Sequence, residues 1–461
     1  MKARLHELEI PAGSPFQNCK LNREKYANIL TSVIESYTDG CVFAITASWG
    51  CGKTTFIKMW KQSLEDNGFN TLYLNVWKDD FISDPLIGML GQLKSLDKKN
   101  KAIDNFDKIC KLSVGIVNAA TNGLLSKIES GKELAEDAVS KGVKGYLEEL
   151  DILDNFRSEI IDYIDQFKNE DDSDKPLIFF IDELDRCNPA YAVKVLERIK
   201  HLFDIPNIVF VLSIDKEQLG NSIRGYYGSD RINAEEYLRR FFDIEYNLPA
   251  PDVQAYCSYL YDFYGFNDFF NKPERQEISR RTSEPENFLQ MTIELFTKMQ
   301  YNLRQMEKAY SHMRLTLNTF ENNVYIHPSL LVLLMFFRET NREFYNSLRQ
   351  KSLEINKIIQ HIEETFPTTM FQTDDEYDER VRTNIWTIAD FLVCYITDRY
   401  EDHKYKLLKE TNPPVLNFTC TVIDSAELLK AINWYSTRGH FYGVIDLRHL
   451  IEHLELMKNF Q

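Results

Sequence analysis

The chain is 461 residues long and carries a formal net charge of -16. That length exceeds one simple domain and leads us to expect two or three folding units. The acidity argues against sequence-independent nucleic-acid binding as the main task, because such binding runs on Lys and Arg meeting phosphates, though composition leaves room for a local basic groove. Eight scattered cysteines without a C-x-x-C pair suit the reduced thiols of a cytoplasmic protein, not a disulfide framework or a structural zinc site. Met1 to Glu7 lacks the apolar core of a signal peptide. Leu112 to Leu125, the most apolar run, falls short of the ~20 residues of a membrane span and is broken by Asn118, Thr121 and Asn122. It reads as a small-residue helix, so membrane association is not expected.

In chain order, residues 1–40 read as an N-terminal linker segment. Cys41 to Ala47 is a short apolar run bounded by Asp39-Gly40 and a glycine-rich turn, which predicts a buried strand. Phe56, Ile57, Trp60 and Leu64 then recur at helical spacing, so a helix begins at Lys53. Thr71 to Trp77 predicts a second strand. Leu177 to Ile181 and Ile208 to Ile214 are almost wholly apolar, as parallel strands covered on both faces are. Phe242 to Tyr246 is a candidate fifth strand, and Ala190 to Phe203 and Ala234 to Phe241 read as helices. Strand and helix in alternation predict an α/β fold with a parallel sheet, spanning 41–250.

A long charged stretch, about 85–174, carries Leu147, Leu150, Leu153, Ile160 and Ile164 at helical spacing and reads as a helical insertion. Beyond Pro249-Ala250-Pro251 the pattern turns helical, with Phe288 to Leu317 and Ile385 to Arg399 the clearest segments and Glu363 to Arg380 acidic and turn-prone. Residues 251–315 are expected to form a helical lid and 316–461 a further helical region.

The strongest motif is A-S-W-G-C-G-K-T at Ala47 to Thr54, between the first strand and its helix. A phosphate loop needs a turn whose N–H groups face inward, then Lys and Ser/Thr at a helix start. Ser48, Trp49, Gly50, Cys51, Gly52, Lys53, Thr54 and Thr55 are the candidate nucleotide-binding residues. Gly50 and Gly52 can take the backbone angles that converge amides on phosphate oxygens. Lys53 supplies a cation to the outer phosphates, and the Thr54 hydroxyl can ligate Mg²⁺. Ala47 stands where the motif has its first glycine, which is admissible if its φ is negative. The bland alternative is a chance glycine turn before a helix.

The second motif is L-I-F-F-I-D-E-L-D-R-C at Leu177 to Cys187. An apolar strand ending in paired carboxylates is how a P-loop enzyme presents Asp182 to Mg²⁺ and Glu183 to the attacking water. Asp185 and Arg186 either form a local ion pair or serve the chemistry. Ser213 and Asp215 end the fourth strand on the expected nucleotide edge, as phosphate sensors or as an ordinary loop cap. Arg240, after Arg239, is a candidate arginine finger toward a neighbouring subunit, with helix-end surface arginines as the alternative. His449-Leu450-Ile451-Glu452-His453 matches H-x-x-E-H, but a third zinc ligand normally follows well downstream, so a polar helix face is expected. The aromatic stretch Tyr259 to Phe270 has few basic neighbours and reads as core or partner packing.

Taken together, these residues resemble the KAP family of P-loop NTPases, in the additional-strand class with AAA-type and STAND ATPases. W-G-C-G-K-T is similar to that family's W-G-S-G-K-S, and Phe180 to Cys187 to its F-I-D-D-L-D-R-C, with Glu183 for the second aspartate. Leu74 to Asp80 with Asp84-Pro85-Leu86, Tyr237 to Phe242 with Leu248-Pro249, and Pro15 to Ala27 carry further likeness. The resemblance implies ATP with Mg²⁺ as cofactor, an ATPase activity, a homo-oligomer or a protein partner, and Arg304 in Asn302-Leu303-Arg304 as a second sensor. Relatives in phage exclusion make a role in anti-phage defence an expectation. The family's insertion often carries transmembrane helices, which this chain's insertion lacks. A nucleotide-gated interaction module with very slow hydrolysis is the alternative reading.

Overall fold

The computed structural model describes residues 8–37, 39–98, 106–121, 135–167, 175–202, 205–373, 378–399, 407–438 and 447–456. Two compact units divide at Ala250/Pro251. The first holds one parallel sheet in the order β2-β3-β4-β1-β5, from β1 (Cys41–Thr46), β2 (Thr71–Asn75), β3 (Leu177–Asp182), β4 (Ile208–Ile214) and β5 (Ile244–Asn247).

Every residue of β3 and β4 is buried, because both faces of the sheet are covered. Side chains alternate across the pleat, so Phe179 and Ile181 enter one core while Ile178 and Phe180 enter the other. Helices α1 (Glu24–Glu35) and α2 (Lys53–Asp66) cover the second face. Helices α3 (Pro85–Lys94), α4 (Phe106–Thr121), α5 (Ala135–Asp165), α6 (Pro189–Leu202), α7 (Lys216–Tyr227) and α8 (Ala234–Leu238) cover the first. Burying each large apolar side chain contributes roughly 1.5–3 kcal/mol, so these two cores fix the strand register that the site depends on. Asp84 ties two of the covering helices together: it caps α3 by accepting from Leu86 N at 3.0 Å and pairs with Arg198 of α6.

Several expectations shift. Residues 24–35 are a helix and not linker, with Ala27, Leu30 and Ile34 packed against α2. Strand β2 stops at Asn75, since Lys78 N turns back to Asn75 O at 3.2 Å. Helix α8 stops at Leu238 and β5 starts at Ile244, because Asp243 accepts the amide of Val42 at 2.7 Å and sets where pairing with β1 begins. Helix α7 was not apparent in the sequence. The expected insertion holds α3, α4 and α5, where Leu147 and Leu150 are exposed while Phe156, Ile160 and Ile164 are buried; residues 99–105, 122–134 and 168–174 lie outside the described residues. No described helix is long and apolar enough to cross a membrane, and the end of the Leu112–Leu125 run lies outside the described residues.

The second unit, from Pro251, is helical: α9 (Val253–Phe263), α10 (Phe266–Phe270), α11 (Gln276–Thr282), α12 (Glu284–Lys298), α13 (Leu303–Leu317), α14 (Pro328–Thr340), α15 (Arg342–Arg349), α16 (Ile355–Thr365), α17 (Glu379–Arg399), α18 (Ser425–Arg438) and α19 (Leu447–Leu456). A small antiparallel pair, β6 (Leu408–Lys409) and β7 (Val415–Leu416), accompanies them. The helix expected over Phe288–Leu317 is two helices, because Asn302 and Gln305 form a capping box that starts α13 afresh. Arg275 and Glu284, both fully buried, pair through two bonds of 2.6 Å, and Arg275 also donates to Val324 O at 3.0 Å. Glu284 accepts Ile326 N at 3.1 Å as well, so this ion pair anchors the segment leading into α14.

Candidate functional site

After Thr46 the chain turns through Ala47–Gly52 into α2. Ala47 continues the ladder by donating to Ile214 O at 3.2 Å. The left-handed positions in the turn are Gly50 (φ 82°) and Gly52 (φ 81°), and Ala47 is not one of them. The alanine therefore meets no steric penalty, whereas a Cβ at either glycine would cost about 1–2 kcal/mol. No side chain caps α2, which leaves its first-turn amides to an anion. Ser48, Trp49 and Thr55 are exposed; Cys51 and Thr54 are half-buried.

Three side chains grip the turn from behind. Arg23, 3% exposed, donates to Cys51 O at 2.6 Å and Gly52 O at 3.0 Å. Turning those carbonyls outward leaves the neighbouring N–H groups facing the interior of the loop. Asp215 accepts Trp49 N at 3.0 Å while capping α7 through Gln218 N at 3.2 Å. Asp185 accepts the indole N–H of Trp49.

Lys53 is buried, and its Nζ donates to Ala47 O at 2.6 Å and Ser48 O at 3.3 Å. Burial lowers its pKa, opposed by the carboxylates of Asp185, Asp215 and Asp182 and by Cys51. Burial conversely raises the Asp185 carboxyl, with the Trp49 bond and Lys53 pulling it back. The ammonium and the acidic residues thus occupy the same carboxyl-end edge of the sheet, where β3 and β1 flank β4.

Along that edge Asn75 faces Asp182 and Asp182 faces Ser213 across the ladder. Asp182 accepts the Tyr73 hydroxyl at 2.9 Å and Glu183 N at 3.0 Å. Burial and Asp182 both push the Tyr73 phenol up, so it stays a donor to that carboxylate. The chain then kinks: Glu183 has φ 64°, an uncommon conformation for a residue with a side chain. Its carboxylate accepts Asn75 Nδ2 at 2.8 Å and Arg186 Nη1 at 2.5 Å, and Arg186 lies over the Trp77 ring. The local ion pair, one of the two readings for Arg186, is made with Glu183 and not with Asp185, because the three-residue helical turn Leu184–Arg186 folds Arg186 back over it. The Ser213 hydroxyl, fully buried, has no hydrogen-bond partner among the described residues.

Thr54 and Asp182 offer hard oxygen donors suited to Mg²⁺. Nearby, burial and the carboxylates of Asp80, Asp185 and Glu183 push the Cys187 thiol up to about 12.

Arg240 is exposed and lies beside Cys41 and Ile208, where β1 and β4 begin. That is the edge of the sheet opposite Lys53 and Asp182, so it is not brought to this chain's own phosphate loop. Arg304 is exposed in the first turn of α13, within the helical unit. The H-x-x-E-H histidines are half-buried: His453 stacks on Phe320 with centroids 3.9 Å apart, is hydrogen-bonded to the Thr319 hydroxyl at 2.6 Å, and burial pushes it down to about 4.

Arg23, Tyr73 and Asn75 were missed by sequence reading. Asn75 could have been found, as it ends the strand paired with the acidic one; Arg23 could not, since nothing local marks which loop it reaches.

No curated protein matches the chain. Among solved structures, it is similar to the Aeropyrum pernix ORC2 protein, in ADPNP-ADP complexes, at 11% identity over 95% of this chain and 94% of that one, with a TM-score of 0.34. Drosophila ORC bound to DNA aligns at 14% identity over 97% and 87%, TM-score 0.35. A DNA replication initiation factor aligns at 10% identity over 95% and 94%, TM-score 0.26. All three are distant likenesses. The family model described as "KAP family P-loop domain" matches residues 23–327, which cover the phosphate loop, the acidic strand and all five sheet strands, and the chain belongs to the KAP family of P-loop NTPases.

Proposed function

We propose that the chain binds ATP with Mg²⁺ at the turn after β1 and hydrolyses it. The observation that carries this reading is the convergence of Lys53 with Asp182 and Glu183 on one sheet edge, with Lys53 feeling the charge of Asp182. Residues Ser48 to Thr55 enclose the phosphates, the amides from Gly50 to Thr55 and the Lys53 ammonium balancing their charge. Thr54 and Asp182 hold the Mg²⁺, which when bound neutralises charge on the outer phosphates. Glu183 orients the attacking water and takes its proton. Ser213 and Asp215 report the state of the γ-phosphate through β4 and α7, and Arg304 adds a second sensor. Arg240 serves the nucleotide of a neighbouring copy, so the active form is a homo-oligomer or a complex with a protein partner. The helical segments 251–315, as a lid, and 316–461 receive the nucleotide signal. The anti-phage role implied by the resemblance belongs to this proposal, and the genes flanking this one test it. Purified protein should release phosphate from ATP with Mg²⁺ and stop when the metal is chelated.

One observation favours a second reading, a nucleotide-gated module with very slow turnover. Glu183 is engaged by Asn75 and Arg186, which withholds the base from a water. Tight ATP binding with turnover near zero would select this reading over the first.

Arg23 acts on the loop and not on the reacting atoms. Hydrogen bonds from a charged donor contribute about 1.5–3 kcal/mol, so Arg23→Ala is expected to raise the KM for ATP roughly tenfold while kcat changes little. Steady-state kinetics check this split; a fall in kcat at unchanged KM would place Arg23 in the chemistry instead.

A further inference from the structure

We propose a second metal site, for a zinc-class divalent ion, at His327, Asp390 and Cys394 in the helical unit. One ligand atom from each of the three lies within 4.8 Å of the others. Asp390 and Cys394 are four residues apart on α17 and so share one helix face. His327 faces them from the residue before α14. One ring nitrogen, Nδ1, meets Asp390 Oδ2 at 2.6 Å, and Cys394 Sγ meets Asp390 Oδ1 at 3.5 Å.

Three features go beyond ordinary packing. First, the other ring nitrogen of His327, Nε2, is buried and has no hydrogen-bond partner among the described residues. The ring is therefore held through Nδ1 alone, the nitrogen that faces Asp390 and Cys394, and an ion seated among the three takes Nδ1 while the neutral imidazole keeps its proton on Nε2. Second, His327 holds φ 46°, a left-handed conformation that favours glycine. Just upstream, Glu284 of the buried Arg275–Glu284 pair accepts the amide of Ile326. Third, charge balances: a divalent ion, one thiolate, one carboxylate and one neutral imidazole sum to zero, which a buried site requires. His327, Asp390 and Cys394 keep only 9%, 8% and 3% of their surface exposed.

The donor set chooses the metal. A thiolate excludes Mg²⁺ and Ca²⁺, and imidazole, thiolate and carboxylate together suit Zn²⁺. Three protein ligands leave a fourth position for water. Binding releases the Cys394 thiol proton to solvent, with no change in oxidation state. Tyr325, whose ring centroid is 4.4 Å from that of His327, borders the cluster.

The test uses the full chain, stripped with chelator and titrated with Co²⁺ in the absence of nucleotide. One equivalent should bind with a thiolate charge-transfer band, and Zn²⁺ should displace it. Cys394→Ala should abolish the band, whereas Cys257→Ala, a buried thiol elsewhere in the unit, and Lys53→Ala should retain it. Asp390→Asn, which preserves shape, should weaken binding at least tenfold and covers the case in which the alanine variant does not fold. A wild-type protein without the band, or a band unchanged in Cys394→Ala, overturns the proposal.

Discussion

Lys53→Ala is expected to lower phosphate release from Mg-ATP by about three orders of magnitude, the scale of losing a preorganised charge at the reacting phosphate. The lysine is buried, and burial alone would drive it toward the neutral form; the carboxylates of Asp185, Asp215 and Asp182 oppose that. In water such an ammonium would be screened, but here it sits inside a loop whose carbonyls it already touches. Alanine removes the only cation that the turn itself supplies. It also leaves Asp185 and Asp215 with less compensation, so nucleotide affinity should fall as well. Malachite-green phosphate release and fluorescent-nucleotide binding, on a variant whose circular dichroism matches wild type, check this. Retained turnover would move the phosphate site elsewhere.

Glu183→Gln is expected to separate binding from chemistry. A positioned general base contributes typically 10²–10⁴-fold, so kcat should fall at least about a hundredfold while ATP affinity stays within a few-fold of wild type. The glutamine is close in shape and keeps an oxygen that can accept from Asn75. What it loses is the ability to take a proton, together with the charge that holds Arg186. Single-turnover kinetics read the chemical step directly. An unchanged rate would remove Glu183 from the role of base and point to another carboxylate on this edge.

Much of the sheet was legible because its determinants are local. Leu177 to Ile181 is apolar on every residue and Ile208 to Ile214 on every residue but Ser213, a pattern that two-sided burial demands and little else produces. The glycine turn is legible for the same reason, since Gly50 and Gly52 sit where a left-handed backbone is needed. What escaped depends on contacts distant in sequence. Arg23 meets the phosphate loop about thirty residues later, and its partners are backbone carbonyls, which leave no trace in residue identity. Arg186 chooses Glu183 over Asp185 because a short helical turn reverses the chain there, a conformation that the letters D-E-L-D-R do not specify. Helix α7 has Gly220 and Gly225 in its interior, weak helix formers that masked it. Its apolar anchors are Leu219 and Ile223, and Gly220 gives a close approach to Ala234, whose Cβ would lie 3.3 Å from an added Cβ. In the helical unit the break before α13 is written in Asn302 and Gln305 and could have been read. The cluster of His327 with Asp390 and Cys394 joins residues more than sixty apart and could not.

Manganese bound in the presence of ATP, measured by electron paramagnetic resonance, examines the shared metal-nucleotide site most directly. Wild-type protein should take up one Mn²⁺ with ATP. Asp182→Asn should retain ATP yet hold that ion at least tenfold more weakly, the scale on which such sites respond to losing a ligand-side group. Equal Mn²⁺ affinity in the two proteins would contradict a metal bridging the phosphate loop and the end of β3.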